Sequence, residues 1–284
     1  MSHWGARRLP RWQFLTLVTL SVTIYTAMAP FGYALFALVA LLPTRAPWRR
    51  ARRIQSGVRL GLRFLHWWMR VTRLVHFRPA QLRSQWSMGP CVVVANHPTL
   101  TDSTALLSSI PDLCTAVRSD LFNRPWLRPL LGACGHFDAG SRNPLGGAQF
   151  LENAAERLQE GLAVLVFPEG TRSPRAGLGH FGRAAFEVAC RANVPVVALL
   201  IREAPQFLAQ GQGLLRHPAA VPRKHVQIWE VINPADFSED SRKMRDYLES
   251  KYRRALTESR PPLVLGAPGP AAPIRPGFPQ RVQK

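Results

Sequence analysis

Hydrophobic residues are arranged along this chain in two different ways. From Phe14 to Leu42 there is no charged residue, and the run exceeds the roughly 20 residues that a helix needs to cross a bilayer. From about Met88 to Arg260, short apolar runs alternate with longer amphipathic segments, which is typical of an α/β fold with a mixed sheet flanked by helices. The pattern therefore predicts an N-terminal hydrophobic membrane-anchoring helical segment followed by a globular α/β domain.

The globular part is expected to contain five strands, each a short apolar run. They are predicted at 91–95, 113–117, 162–167, 194–201 and 225–232. Helices are expected to start near Thr101, Arg124, Pro144, Phe181 and Ser238. The predicted organisation is a membrane-anchoring and interfacial region at 1–80, a catalytic domain at 81–260 and a disordered tail rich in Pro and Gly at 261–284.

The uncharged N-terminal run is expected to remain in the mature protein, because it is too long for a signal-peptide core and lacks a small-residue cleavage site. Pro30 and Gly32 divide it, so either a single tilted span or a re-entrant hairpin bent at Pro30 fits. Basic residues flank both ends: Arg7, Arg8 and Arg11 before it, and Arg45, Arg49, Arg50, Arg52 and Arg53 after it. The larger second cluster predicts a protein of the cell inner membrane whose catalytic domain faces the cytoplasm.

Residues 53–77 predict a helix with a basic face. Arg59, Arg63, His66, Arg70 and Arg73 recur at steps of four and three, and the opposite side carries Leu60, Phe64, Trp67, Trp68, Val71 and Val75. This pattern favours an interfacial helix with its aromatic side at the headgroup boundary and its basic side on lipid phosphates. The alternative is a helix that packs on the core and leaves a basic face in solvent.

The charge balance predicts an anionic partner. The 284 residues include 37 Lys and Arg against 17 Asp and Glu, a formal net charge of +20. Such an excess suits nucleic acid, an anionic phospholipid membrane or an acidic carrier protein. Nucleic acid is disfavoured because the predicted strands are apolar rather than interleaved with aromatic and basic residues. The four cysteines lie far apart, which indicates neither a zinc site nor a disulfide framework.

The first candidate for chemistry is the run CVVVANHPTLTD, which places Asn96 and His97 at the end of a buried strand. Active groups in α/β folds commonly lie at that end of the sheet. Pro98 favours an extended conformation for His97 and can begin a helix. Asp102, in the first turn of that helix, can then hydrogen-bond the imidazole, fix its tautomer and support it as a general base.

The second candidate is the run LAVLVFPEGTRSP, which has the same layout of a buried strand followed by a turn. Gly170 lets backbone amides approach an anion closely, and Arg172 can pair with a phosphate through two hydrogen bonds. Glu169 beside such a site is costly unless it binds a hydroxyl group or orients the arginine. The run therefore predicts an anion-binding turn.

Together the two runs resemble the glycerolipid acyltransferase family, which contains the 1-acylglycerol-3-phosphate acyltransferases. The first family block is N-H-x-x-x-x-D and the third is F-P-E-G-T-R-S, and every fixed position of both occurs here in NHPTLTD and FPEGTRS. The resemblance extends over about 91–236. It includes Arg118, where the family usually has Lys, and the hydrophobic N-terminus, which looks like the membrane-docking module of bacterial members.

This chain departs from the family pattern at three places. The second block should approach G-x-x-F-I-D-R but is GHFDAGSR, so Arg142 matches only with a longer loop. Ala198 replaces the fourth-block proline, and Ala184 replaces the glycine expected after FGR at 181–183. These differences affect the expected shape of the acyl and acceptor pockets and leave the His-Asp pair intact.

The resemblance implies a direct acyl transfer. His97 would be the general base on an acceptor hydroxyl and Asp102 would orient it, while a substrate-binding group would hold the acceptor's anionic head: Glu169, Gly170, Thr171, Arg172, Arg118 and Arg142. No metal, cofactor or covalent intermediate is expected. The acyl donor would be acyl-CoA or acyl carrier protein, and the expected acceptor is the lysolipid 1-acylglycerol-3-phosphate, giving phosphatidic acid.

Three alternatives remain open at the level of the sequence. The acceptor could be another lysolipid, such as lyso-ornithine lipid or a polyene-type pigment lipid. The acyl group could come from a phospholipid rather than a free thioester. The chain could also be a non-catalytic basic module that docks on membranes, in which case His97 and Asp102 would be dispensable.

Overall fold

The computed structural model describes residues 9–41, 47–140, 143–175 and 177–258. Within these ranges the helices are α1 (Arg11–Leu41), α2 (Pro47–Val71), α3 (Pro79–Gln85), α4 (Asp102–Ser109), α5 (Ser119–Phe122), α6 (Arg128–Ala133), α7 (Pro144–Gln159), α8 (Ala184–Ala192) and α9 (Ser241–Glu258). The strands are β1 (Val92–Ala95), β2 (Leu113–Val117), β3 (Phe137–Asp138), β4 (Ala163–Val166), β5 (Val196–Ala204) and β6 (Arg223–Ile232).

The strands form one six-stranded sheet in the order β3-β2-β4-β1-β5-β6. The pairs from β3 to β5 are parallel, whereas β6 runs antiparallel to β5. The predicted mixed sheet flanked by helices is confirmed. Because β1 lies between β4 and β5, the chain segments that leave the carboxyl ends of these strands meet at one edge of the sheet.

Helices cover both faces of the sheet, and β1 shows how its residues divide between them. Val93 and Ala95 contact a core built with residues of α1, α2 and α4, whereas Val92 and Val94 contact a second core built with α7, α8 and α9. All four residues are fully buried. Burial on both faces explains why this strand is a continuous apolar run rather than an alternating one.

The first two helices pack against each other as an antiparallel pair. Trp68 Nε1 donates a hydrogen bond to Ser21 Oγ at 3.1 Å, and Gly61 approaches Met28 so closely that an added Cβ would lie 2.6 Å from its Cε. Helix α1 continues through Pro30 to Leu41. Of the two predicted geometries, the re-entrant hairpin bent at Pro30 is therefore wrong.

Helix α1 also contacts the globular body near both ends. Phe14 is buried and packs edge-on against Phe207, with ring centroids 5.8 Å apart, and Gly32 lies against the side chain of Leu130. The segment Arg11–Ala34 has the length and hydropathy of a membrane span, with 18% of its most apolar window buried. The α1–α2 pair thus lies along the body while much of α1 stays exposed.

The faces of α2 differ in part from the prediction. Four of the six residues predicted on the apolar side, Leu60, Phe64, Trp67 and Val71, are between 48% and 66% exposed, as an interfacial helix requires. The other two are not: Trp68 bonds to α1, and Val75 is 1% exposed and lies beyond the end of α2. His66, however, is 1% exposed, and its assignment to lipid phosphates is wrong. This side of the helix faces the body, where the His66 ring packs against Phe77 with ring centroids 5.3 Å apart.

Two further members of the predicted basic face lie elsewhere. Arg63 Nε donates to the carbonyl oxygen of Ser108 in α4 at 2.9 Å. Arg73 follows the end of α2 and has a positive φ of 60°, so it is outside the helix. The basic face is therefore shared between the protein body and the surface.

The five predicted strands are confirmed with shifts of a few residues at their ends. The predicted helix starts at Thr101 and Pro144 agree with α4 and α7, whereas those at Arg124, Phe181 and Ser238 precede α6, α8 and α9 by three or four residues. Strand β3 and helices α3 and α5 were not predicted, and the predicted boundary at residue 80 falls inside α3. The predicted tail at 261–284 lies outside the described residues.

Candidate active site

The two candidate runs meet at the carboxyl edge of the sheet, on the neighbouring strands β1 and β4. Asn96 directly follows β1, and its side-chain amide exchanges two hydrogen bonds with the backbone of Ile201 in β5, at 2.9 and 2.8 Å. These bonds replace ladder bonds where the chain leaves the sheet. They fix the direction in which the next residue, His97, projects.

His97 and Asp102 form the predicted pair. His97 Nδ1 lies 3.0 Å from Asp102 Oδ2, although five residues separate them. Pro98 and a short turn precede α4, which begins at Asp102, so the carboxylate points back towards the imidazole. The strand-turn-helix geometry predicted from the sequence is therefore present.

The hydrogen bonds of Asp102 define the tautomer of His97. Asp102 Oδ2 accepts from the backbone N–H of Thr99 at 2.7 Å, and Oδ1 accepts from the Thr99 hydroxyl at 2.8 Å and from the Lys224 ammonium. An ionised carboxylate with these donors offers His97 an acceptor, so Nδ1 carries the proton. Nε2 is then the unprotonated nitrogen, which is the form that a general base requires.

Asp102 is held in its ionised form although it is completely buried. Burial by itself raises the pKa of this carboxyl group, but the charge of Lys224 and the hydrogen bond from His97 outweigh it and bring the pKa below its ordinary value. The partner of His97 therefore stays negatively charged throughout the neutral pH range.

The His97 ring is fixed on its face as well as at Nδ1. It stacks on Phe167, with ring centroids 4.1 Å apart and an interplanar angle of 18°, and its side chain is 15% exposed. Among the described residues, none hydrogen-bonds to Nε2. The unprotonated nitrogen is thus available to a substrate hydroxyl.

Glu169, predicted to bind substrate, is used within the protein. Its Oε1 accepts from the His97 backbone N–H at 3.1 Å and from the Ser173 hydroxyl at 2.6 Å. Its Oε2 accepts from the Gly179 N–H at 2.7 Å. The carboxylate therefore joins the turn after β4 to the backbone of the base, and this contact locates both turns relative to each other.

The remainder of the second turn is more open. Gly170 has a φ of +65° and an exposed position, a conformation that side-chain-bearing residues adopt at a cost, and Thr171 is exposed beside it. Arg172 Nη1 donates to the carbonyl oxygens of Leu208 and Ala209 at 2.9 and 3.2 Å. Because a guanidinium has five N–H donors, Arg172 retains donors for an anion beyond this loop.

Of the two remaining arginines predicted to bind substrate, only Arg118 lies among the described residues. Arg118 follows β2 at the same edge of the sheet, two strands from β1, with 83% of its side chain exposed and two hydrogen bonds to Asp120 at 3.0 and 2.9 Å. Arg142 lies outside the described residues. The substrate-binding roles of all six residues stay predictions.

Two buried charged residues at the site were not predicted. Lys224 of β6 and Glu203 of β5 face each other across the two strands, and Lys224 Nζ lies 3.0 Å from Glu203 Oε2 and contacts Asp102. The available signal was weak: Lys224 is one of four lysines in an arginine-rich chain. The predicted strands ended at residue 201 and began at 225, so both residues fell just outside them.

Other chemistries find little support in the part of the chain that the structure describes. No group of three or more His, Cys, Asp or Glu side chains there is arranged to hold a metal ion. Burial raises the pKa of the Cys91 thiol to about 12, so this cysteine is protonated at neutral pH and unsuited to act as a nucleophile.

Comparison with known proteins identifies an acyltransferase domain in this chain. Residues 69–202 match the family model described as Acyltransferase. The chain is 27% identical over 255 residues to 1-acyl-sn-glycerol-3-phosphate acyltransferase alpha of Homo sapiens, covering 81% of each protein. It is 30% identical over 129 residues to the chloroplastic 1-acyl-sn-glycerol-3-phosphate acyltransferase BAT2 of Brassica napus, covering 45% of this chain and 38% of that one. The chain thus spans less than two thirds of the BAT2 length.

The fold has a counterpart among solved structures. The crystal structure of the 1-acyl-sn-glycerophosphate (LPA) acyltransferase PlsC from Thermotoga maritima superposes with a TM-score of 0.66 at 21% identity, covering 86% of this chain and 95% of that chain. The matched region 69–202 contains both turns of the site, His97 to Asp102 and Pro168 to Arg172. The family model, the curated relatives and the fold agree that this chain contains an acyltransferase domain similar to those of the 1-acyl-sn-glycerol-3-phosphate acyltransferases.

Proposed function

We propose that this protein transfers a fatty acyl group from a thioester to the free hydroxyl of a lysolipid, and that the acceptor is 1-acylglycerol-3-phosphate. The observation that carries the proposal is the His97–Asp102 pair, whose Nε2 is unprotonated and free at the carboxyl edge of the sheet. Two of the relatives described above are named for the same acceptor.

The proposed reaction uses His97 as the only proton carrier. Nε2 removes the proton from the acceptor hydroxyl, and the resulting alkoxide oxygen attacks the thioester carbonyl to give a tetrahedral oxyanion. When the oxyanion collapses, the C–S bond breaks and the leaving thiolate takes the proton from the imidazolium. Asp102 stabilises the imidazolium between these steps, and neither a cofactor nor a covalent acyl-enzyme is needed. A positioned base of this type contributes about 10²–10⁴-fold to the rate.

The acceptor phosphate is assigned to the turn after β4. Arg172 has donors left after its bonds to Leu208 and Ala209, and Gly170 and Thr171 leave its approach open. Arg118 at the end of β2 adds a second exposed guanidinium at the same edge. Glu169 contributes by holding the turn against His97.

Membrane association is proposed to occur through the α1–α2 pair. The exposed apolar row of α2, formed by Leu60, Phe64, Trp67 and Val71, and the exposed residues of α1 create an apolar surface on one module. Because α1 lies along the body, we propose that the pair rests in the cytoplasmic leaflet of the cell inner membrane. A lysolipid acceptor could then reach His97 without leaving the bilayer.

The test is a transfer assay with detergent-purified protein and radiolabelled acyl groups. Acyl-CoA and acyl carrier protein are each offered with lysophosphatidic acid, lyso-ornithine lipid and a lysolipid that lacks an anionic head, using wild type and His97→Ala. We expect labelled phosphatidic acid that requires His97. Product on another acceptor would reassign the substrate, and product that is indifferent to His97 would overturn the mechanism.

A further inference from the structure

Behind the His97–Asp102 pair lies a cluster of three buried ionisable side chains. Asp102, Lys224 and Glu203 have no exposed side-chain area, and each comes from a different element: α4, β6 and β5. Buried charges are costly unless they are paired and hydrogen-bonded. The cluster therefore needs a structural or chemical reason.

Every donor of Lys224 is used. Its ammonium donates to Thr99 Oγ1 at 2.7 Å, to Asp102 Oδ1 and to Glu203 Oε2 at 3.0 Å. An ammonium has three N–H donors and no acceptor, so this arrangement fits the charged lysine. Although burial alone lowers the pKa of Lys224, the two carboxylates raise it above its ordinary value.

Glu203 has the hydrogen bonds of an ionised carboxylate. Its Oε2 accepts from Lys224 at 3.0 Å, and its Oε1 accepts from the Phe207 backbone N–H at 2.9 Å. Burial raises the pKa of Glu203 above its ordinary value, although the charge of Lys224 opposes this shift. Both oxygens thus face donors.

The signs of the charges matter for His97. With Asp102 and Glu203 negative and Lys224 positive, the cluster carries one net negative charge. Were Glu203 uncharged, Lys224 would cancel the charge of Asp102, and the imidazolium formed during transfer would face a neutral pair. The other titratable ring near the cluster, His66 of α2, stays neutral because burial lowers its pKa to about 3.

We propose that Lys224 and Glu203 are positioning residues for the proposed acyl transfer, in which Lys224 fixes the Asp102 carboxylate and Glu203 offsets the charge of Lys224. The inference rests on the proposed function only for its kinetic readout. The cluster holds the Asp102 carboxylate in one orientation, with Oδ2 directed towards His97. It also keeps one unit of negative charge behind the base, which favours the imidazolium in the transition state.

The first test is Glu203→Gln. Loss of one charge disfavours the protonated imidazole, so the acidic limb of the kcat/KM profile is expected to move to lower pH by about one unit. The maximal kcat is expected to fall about tenfold, while KM for the acceptor stays unchanged because the Glu203 side chain is fully buried.

The second test restores the charge. In Glu203→Gln/Lys224→Met the cluster again carries one negative charge, that of Asp102, whose Oδ1 still accepts from Thr99. The acidic limb is expected to return to the wild-type position, and kcat to rise above that of Glu203→Gln alone. Two substitutions that only harmed packing would give no such recovery. A double variant whose limb stays with that of Glu203→Gln would overturn the charge argument.

A matched control for Glu203→Gln is available on β6, the strand of Lys224. Glu230 of β6 pairs with Lys251 of α9 at 2.8 Å on the other face of the sheet. Glu230→Gln removes the same charge from a Lys–Glu pair and is expected to leave both kcat and the pH profile unchanged. A shift equal to that of Glu203→Gln would mean that total charge, rather than the cluster, sets the profile.

A second readout separates this proposal from the proposed function, because it needs no substrate. Diethyl pyrocarbonate acylates neutral imidazole, and peptide mass spectrometry locates the label on His97. The pH dependence of labelling is expected to move to lower pH in Glu203→Gln and to return in the double variant. Unchanged labelling profiles would overturn the positioning role, whereas shifted profiles in a protein without acyl transfer would retain it and reject only the proposed function.

Discussion

The turn after β1 and the turn after β4 share a layout in the sequence and differ in how their side chains are used. In the first turn Asp102 is fully buried and surrounded by Thr99, Lys224 and His97. In the second turn Gly170 and Thr171 are exposed, and Arg172 holds the carbonyl oxygens of Leu208 and Ala209. The first turn is shielded from solvent, as the proposed proton transfer requires, whereas the second is open to solvent, as the proposed site for an anionic head requires.

The comparison shows that a residue of one motif can hold a residue of the other motif in position. Glu169 belongs to the second turn, but its carboxylate accepts a hydrogen bond from the backbone of His97 in the first. Removing a residue from either turn should therefore change activity in a way that depends on its contacts rather than on its motif.

The largest effect is expected from Asp102→Asn, which tests the buried turn. The amide would place N–H donors among groups that already donate, so His97 loses both its tautomer and its negative partner. We expect kcat to fall about 10²–10⁴-fold with little change in KM. Asp138→Asn is the control, because Asp138 ends β3 at the same edge and accepts hydrogen bonds from the nearby Ser119, Asn123 and Gly140. Equal losses in both variants would contradict the special role of Asp102.

Glu169→Gln is expected to have a smaller effect, and it tests the link between the two turns. Glu169 accepts three hydrogen bonds through its two oxygens, and the Gln side chain has one oxygen only. One N–H, of His97 or of Gly179, would face another donor, which costs about 1–3 kcal/mol. We expect a loss of about 10–100-fold in kcat/KM, carried by kcat. An unchanged kcat with a raised acceptor KM would instead support direct substrate binding by Glu169.

The pH dependence of the free energy of unfolding tests whether His66, which contacts α4 next to the first turn, is buried in solution. His66 Nε2 lies 3.2 Å from Thr104 Oγ1 of α4, and burial lowers the pKa of His66 from 6.5 to about 3. The unfolded chain therefore takes up a proton below pH 6.5 that the folded chain does not. The free energy of unfolding should fall by about 1.4 kcal/mol per pH unit between these values from this residue alone.

His66→Leu is expected to reduce this slope in urea unfolding between pH 7 and pH 4. Since burial also lowers the pKa of His136, to about 4, part of the slope will remain. A His66→Leu slope equal to that of wild type would contradict the burial of His66 in solution.

The smallest effect is expected in the open turn, from Gly170→Ala. An added Cβ meets no atom within 4 Å, so only the positive φ of +65° opposes it, at a cost of about 1–2 kcal/mol in the free energy of unfolding. Gly147→Ala also enters open space but lies inside α7, where alanine should stabilise by about 1 kcal/mol. Opposite signs in thermal unfolding are the expected result. The same sign for both would show that the turn around Gly170 adopts a different conformation.

Much of the fold and the hydrogen-bonded His97–Asp102 pair could be predicted from the sequence because the information is local. Buried strands such as 91–95 are apolar runs, and His97, Pro98 and Asp102 follow one of them directly. The two-residue strand β3 was missed since so short a segment has no periodicity. The burial of His66 was missed because helical spacing reveals that residues share a face, but not which face the body covers.

The cluster behind Asp102 could not be predicted for a different reason. Glu203 and Lys224 are brought together by the antiparallel register of β5 and β6, and both lie near strand ends where sequence boundaries are least certain. The family blocks do not include them either. Long-range pairing, rather than any local pattern, places the charge behind the base.

The different roles proposed for the two turns, proton transfer and acceptor binding, are tested most directly with His97→Ala and Arg172→Ala in one acyl-transfer assay. The assay determines kcat and the acceptor KM for each variant. The account predicts that His97→Ala lowers kcat by about 10²–10⁴-fold at an unchanged KM. For Arg172→Ala it predicts a raised acceptor KM with most of kcat retained. A His97→Ala variant with the wild-type kcat would contradict the account.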